Sequence, residues 1–270
     1  MNKLFFFLSI VFLSVALLAQ NSADTLNQLD SNGKKHGYWK KYDLDTLRYE
    51  GHFEHGIPEG EFIYYYHDGN VKTKMTYSNN GQDAYSIMYF NTGKKMAEGK
   101  FINKKRDGEW ITYDGFDHEI AKVNYVSGKK SGLATYYFPE GGKLEEINYV
   151  DGVEDGMYTQ YFANSGIKMR GSYENGKFQG IFAFYYPNNV LYNTGSYEKG
   201  LRHGVWTMYD DEGEIIVKVT YNHGDVVKRE VFQEDKDPEA INKKLGDEEH
   251  KKKGTTSTDN GINDPKYDGY

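Results

Sequence analysis

From about residue 33 to residue 224 the order of glycine, aromatic and polar positions repeats every 24 residues. A loop glycine opens each unit at Gly37, Gly60, Gly108, Gly132, Gly156, Gly180 and Gly204, with Ala84 in the third slot. Five residues on, tyrosine fills every slot: Tyr42, Tyr65, Tyr89, Tyr113, Tyr137, Tyr161, Tyr185 and Tyr209. A second aromatic series, Phe53, Tyr77, Phe101, Tyr125, Tyr149, Tyr173, Tyr197 and Tyr221, keeps the same spacing. Self-similarity at a fixed period of this length marks a repeat architecture.

Each unit predicts one β-hairpin. The turn between the two aromatic series carries Gly69, Gly93, Gly141 or Gly213, or else Asp117 or Asn189. These residue types tolerate the positive φ that hairpin loops demand. The second strand alternates cleanly in the last unit, with Ile215, Val217, Val219 and Tyr221 on one face and Ile216, Lys218, Thr220 and Asn222 on the other. Two residues before the second aromatic, Gly51, Gly99, Gly171 and Gly195 leave room for a neighbouring ring to lie across the strand. The first strand is ambiguous, because its aromatic two places past the loop glycine and its tyrosine five places past are three apart. Either both faces carry aromatics or a bulge realigns them. Short loops at both ends of every hairpin predict an all-β meander of sixteen strands, an elongated ribbon of roughly 75 Å at the usual strand spacing.

The flanks differ. Met1 to Ala19, with Lys3 followed by an apolar run from Leu4 to Leu18, has the pattern of a cleaved signal peptide, so export to the periplasm, cell surface or medium is expected. Residues 20–32 form a polar leader, residues 33–224 the repeat domain, and residues 225–270 a charged, low-complexity tail expected to be disordered or partly helical from Asp237-Pro238. The tail is placed to cover the open sheet edge.

The unit from Gly176 to Gly200, with glycine-lysine, a loop glycine, a ring, a tyrosine, an Asn-bearing turn and a closing G-x-Y-x-x-G, resembles the bacterial variant of the MORN repeat. The resemblance covers residues 33 to 224 in about eight copies. It implies stacked 24-residue MORN-like β-hairpins serving as a protein-binding or scaffolding surface. Some relatives are labelled antitoxin components, which implies neutralisation of a partner protein as an alternative. Ala84, Ser86 and Ala134 depart from the pattern, as does a first hairpin one residue short.

Composition adds three constraints. The 270 residues include 30 glycines, 25 tyrosines and no cysteine, so disulfides and thiolate chemistry are excluded and packing must come from amphipathic rings. A net charge of -7 with mixed signs argues against nucleic acid. No nucleophile motif, phosphate loop or calcium loop appears, which points to a non-enzymatic protein without cofactor or metal. His36 and His203 occupy equivalent repeat positions, and His52 and His55 fall on opposite faces of one strand. The candidate binding residues are therefore the rings, Tyr65, Tyr89, Tyr113, Tyr137, Tyr161, Tyr185, Tyr209, Trp110 and Trp206. In a row they would form a platform for a partner protein or, alternatively, for glycan or lipid headgroups.

Overall fold

A computed structural model of the chain describes residues 26–233 and residue 236. Eighteen strands form one open antiparallel meander in which each strand pairs with the next. The first nine are β1 (Gln28–Leu29), β2 (Lys35–Asp43), β3 (Thr46–Glu54), β4 (Ile57–Tyr65), β5 (Val71–Ser78), β6 (Asp83–Tyr89), β7 (Lys95–Ile102), β8 (Lys105–Tyr113) and β9 (Glu119–Val126). The rest are β10 (Lys129–Tyr137), β11 (Lys143–Val150), β12 (Val153–Tyr161), β13 (Ile167–Glu174), β14 (Lys177–Tyr185), β15 (Leu191–Glu198), β16 (Leu201–Tyr209), β17 (Ile215–Asn222) and β18 (Asp225–Val231). No helix forms among the described residues.

Two of these strands correct the expected boundaries. Gln28 and Leu29, assigned to the leader, pair with His36 and Lys35 on β2. Residues 225–231, assigned to the tail, form β18 against β17. The turn His223-Gly224 that launches β18 has φ of 49° and 98°, like every other return turn, but β18 has lost the loop glycine and the rings by which units are recognised. The expected signal peptide and the helix start at Asp237-Pro238 lie outside the described residues.

The loop glycines explain the first strand. Gly51 pairs with Phe62 while His52 pairs with Glu59, so Gly60 and Glu61 are extra residues on β4. Gly60 has φ of 67°, a conformation in which a side chain is strained. The same two-residue bulge recurs at Gly108 and Gly180. In the third unit Ala84 cannot supply positive φ cheaply, and β5 pairs with β6 without any shift. The two residues are taken up in the turn instead, where Asn79, Asn80 and Gly81 all have positive φ.

The core is a single row of side chains running across the sheet. Register places Trp39, Gly51, Phe62, Met75, Ser86, Gly99, Trp110 and Val123 in cross-strand sequence. The row continues through Ala134, Ile147, Tyr158, Gly171, Phe182, Gly195, Trp206 and Val219. Large rings alternate with glycines. A Cβ on Gly51, Gly99, Gly171 or Gly195 would meet the ring of Phe62, Trp110, Phe182 or Trp206 at 2.2 to 2.6 Å. Where the ring slot holds Ser86 or Ala134, the neighbours are the larger Met75, Val123 and Ile147, so the departures are compensated by volume. The second aromatic series stands edge-on to the row, with Phe101 against Trp110 and Tyr197 against Trp206, both with ring centroids 5.0 Å apart. Arg106 lies 4.4 Å from the Trp110 ring centre and Arg202 4.7 Å from that of Trp206, roofing the rings with cations.

A Gly195→Ala substitution forces the buried Trp206 ring out of place and costs about 1–3 kcal/mol. Gly115, whose added Cβ meets nothing within 4 Å, takes alanine with no loss. Urea unfolding of the two variants separates them.

Candidate interaction surface

Trp206 and Tyr209 face opposite ways. The same opposition is fixed in three units where a tyrosine hydroxyl finds a partner: Tyr65 donates to Glu50 at 2.5 Å, Tyr113 to Glu98 at 2.5 Å and Tyr161 to Glu146 at 2.6 Å. Each glutamate is the chain neighbour of a core-row residue, Gly51, Gly99 or Ile147, and so points to the other face. The eight tyrosines Tyr42 to Tyr209 follow a second register shift, between Tyr64 and Tyr65 in the second unit and at the same place in the others. Of the candidate residues, Tyr65, Tyr89, Tyr113, Tyr137, Tyr161, Tyr185 and Tyr209 are half-buried. Trp110 and Trp206 are buried on the opposite side and do not join them, which corrects their inclusion in one platform.

The face opposite the rings carries a row of its own. Lys40, Glu50, Ile63, Lys74, Ile87, Glu98, Ile111 and Lys122 are successive cross-strand partners. They are followed by Thr135, Glu146, Thr159, Arg170, Ala183, Thr194, Thr207, Lys218 and Glu230. From Glu50 to Arg170 the charge changes sign at each successive hairpin, with Ile63, Ile87, Ile111, Thr135 and Thr159 between. The signal was present in the sequence, three residues before each second aromatic, as Glu50, Lys74, Glu98, Lys122, Glu146 and Arg170. It repeats every 48 residues, so a search at the 24-residue period passes over it.

The glutamates Glu50, Glu98 and Glu146 of the row are each held by a tyrosine and a lysine. Lys40 Nζ donates to Glu50 at 2.9 Å, Lys95 to Glu98 at 2.9 Å and Lys143 to Glu146 at 2.5 Å. The Tyr65 hydroxyl, joined by Lys40, pulls the Glu50 carboxyl below the usual range. Burial pushes Glu98 and Glu146 up, but Tyr113 with Lys95, and Lys143 with Tyr161, outweigh it and leave both lowered. Burial and the Glu146 contact in turn push Tyr161 up to about 12. At the C-terminal end the ladder continues past β18: the Phe232 and Gln233 amides donate to the Ile216 carbonyl, and Lys236 reaches the buried Asp210 at 2.6 Å. That lysine, with Gln233 and the Glu214 amide, draws Asp210 down to about 2.

The histidines converge across strands, which inspection of single strands missed. His36 on β2 meets His55 in the turn after β3, with ring centroids 5.1 Å apart, and Glu54 lies beside them. His203 on β16 meets His223 after β17 at 4.6 Å, beside Glu198. His55 and His223 both have φ of 49° and both precede a glycine. Asp30 receives His55 Nδ1 at 2.6 Å, a contact that draws Asp30 down to about 2.

The geometry defines the class: a β-hairpin repeat protein whose units share one row of rings. The family model described as MORN repeat variant matches residues 58–79 and 202–223. Both matches run from two residues before the loop glycine to two residues past the second aromatic, one whole hairpin each. Those two hairpins are similar to the MORN repeat variant, and the register and the 24-residue spacing place the other hairpins in the same frame. No curated protein matches it.

A carboxyl whose folded pKa is depressed contributes stability that is present above its unfolded value, near 4.3 for glutamate, and lost as pH falls through the folded value. The urea midpoint is therefore expected to hold from pH 7 to 5 and to fall below about pH 4.5. The triple variant Glu50→Gln, Glu98→Gln, Glu146→Gln starts lower at pH 7 and falls less steeply in acid.

Proposed function

We propose that the chain is an exported, non-enzymatic repeat protein that receives a partner protein on the face opposite its rings. The carrying observation is the row of alternating charge from Glu50 to Arg170, set between isoleucines and threonines on an open sheet face. The core-row rings have little left to offer, since Phe62, Trp110, Phe182 and Trp206 are all buried. Alternating charge on a half-apolar strip favours a partner of complementary pattern, because misaligned like charges penalise every wrong register. A glycan or lipid headgroup would instead need free tyrosine hydroxyls, and those of Tyr65, Tyr113 and Tyr161 already serve glutamates.

Cross-linking and affinity capture from the envelope and medium of the producing cells test this reading. The full chain is expected to recover a discrete partner that the variant Lys74→Glu, Lys122→Glu, Arg170→Glu, folded by circular dichroism, does not. Equal recovery by both chains, or no partner for the unaltered one, defeats it. Export itself is checked by intact mass: the mature protein is expected to begin at Gln20.

A further inference from the structure

The first and last complete hairpins share a feature that the six between them lack. Only these two units carry histidine just before the loop glycine, His36 and His203, and only the same two carry it two residues past the second aromatic, His55 and His223. In four of the six units between them the first of these positions has a structural task. Asp83, Asp107, Asp155 and Gln179 each accept the turn amide of the return loop, from Asn103, Ser127, Asn175 and Lys199 at 2.9 to 3.1 Å. The two end units give up that bond, and the Nδ1 atoms of His36 and His203 are buried without a hydrogen-bond partner. A buried polar atom without a partner is destabilising unless something else satisfies it; at the first end that atom, His36 Nδ1, is the one that faces the neighbouring glutamate, whereas at the second it is His203 Nε2 that does.

We propose that each end of the array holds a divalent-cation site of the histidine-histidine-carboxylate class, suited to zinc. At the first, Glu54 places Oε2 3.8 Å from His36 Nδ1 and Oε1 3.4 Å from His55 Nε2. At the second, a single oxygen, Glu198 Oε2, lies 3.7 Å from His203 Nε2 and 3.4 Å from His223 Nε2. In each group one ligand atom per residue falls within 4.8 Å of the others. Donors about 2.0–2.1 Å from one zinc ion in a tetrahedron stand roughly 3.4 Å apart, so small side-chain rotations close either group. Three protein donors leave a fourth position to water, as in open zinc sites.

The surroundings agree. The Nδ1 of His55 is held by Asp30 at 2.6 Å and that of His223 by Asn222 Oδ1 at 2.9 Å, which turns Nε2 of each ring toward its group. Outer oxygen partners of this kind orient metal-binding imidazoles. The carboxylates come from different strands: Glu54 from the histidines' own hairpin, Glu198 from the hairpin before it. The same donor set thus arises from two local solutions, which shared repeat ancestry of the histidines alone does not account for. His52 and Glu59 also approach Glu54, but that group has one imidazole and no counterpart at the other end. A bound cation ties turn to strand in the two units flanked by the incomplete ends of the array, where neighbour packing is weakest.

Calorimetric titration of the full chain with zinc chloride tests the proposal. Two equivalents are expected per chain. The pair His36→Ala, His55→Ala removes one, the pair His203→Ala, His223→Ala removes the other, and His118→Ala removes neither. Glu54→Gln and Glu198→Gln, which keep both imidazoles, each weaken one site at least tenfold, a readout that survives if an alanine pair fails to fold. Absence of binding, a stoichiometry other than two, or losses that do not follow the pairs would overturn it.

Discussion

The molecule rests on one steric bargain: a ring can be buried in a single-layer sheet only if the strand beside it gives up its side chain. Trp206 lies across Gly195, Phe182 across Gly171 and Trp110 across Gly99, each ring closer to the backbone than a Cβ would permit. A second sheet or a layer of helices would normally exclude water from such rings. Here the exclusion comes from the edge-on aromatics two residues along and from Arg106 and Arg202 above them. Because the whole row belongs to one face, everything of opposite parity is released to the other. The Glu50 to Arg170 row exists because the rings do not need that side.

Much of this was legible in the sequence, for a physical reason. A repeat exposes its own rules by comparison between copies, so the loop glycines, the two aromatic series and the small residues beneath the rings could be read at fixed spacing. The facing of Trp206 and Tyr209 could not, since it depended on two register shifts that alternation alone does not fix. The edges were misjudged where repeat marks fade. Gln28 and Leu29 hold no periodic residue, and β18 keeps its launching turn but has Lys228 where a loop glycine would stand. Trp110 and Trp206 were grouped with the tyrosines as ring residues, although they serve burial. The charge row and the histidine pairs went unread because each requires comparing units with units two or seven places away.

The two faces divide labour in a way that suits a long surface. Stability is local, since each ring needs only its two neighbouring strands, and a lapse such as Ser86 is made good by Met75 next door. Recognition is distributed, since the charges that alternate along the other face act together only when many hairpins keep their order. The Tyr65, Tyr113 and Tyr161 hydroxyls join the two by fixing the glutamates of the row to the strands that carry them.

The third hairpin shows how such an array survives changes in length. Its missing glycine abolishes the bulge, and the two residues released reappear in the turn around Asn80. Two is an even number, so every side chain beyond keeps its face. The first hairpin is one residue short, and the deficit falls at its apex, around Leu44 and Asp45, outside the paired register. Lengths thus change by pairs at the loop glycines and singly only at a tip or in a one-residue bulge close to a turn. An odd change inside a strand that no bulge absorbed would exchange the two faces of everything beyond it, presenting rings to solvent and charges to the core. The return loops can therefore diverge in sequence while parity of chain length holds eighteen strands in phase.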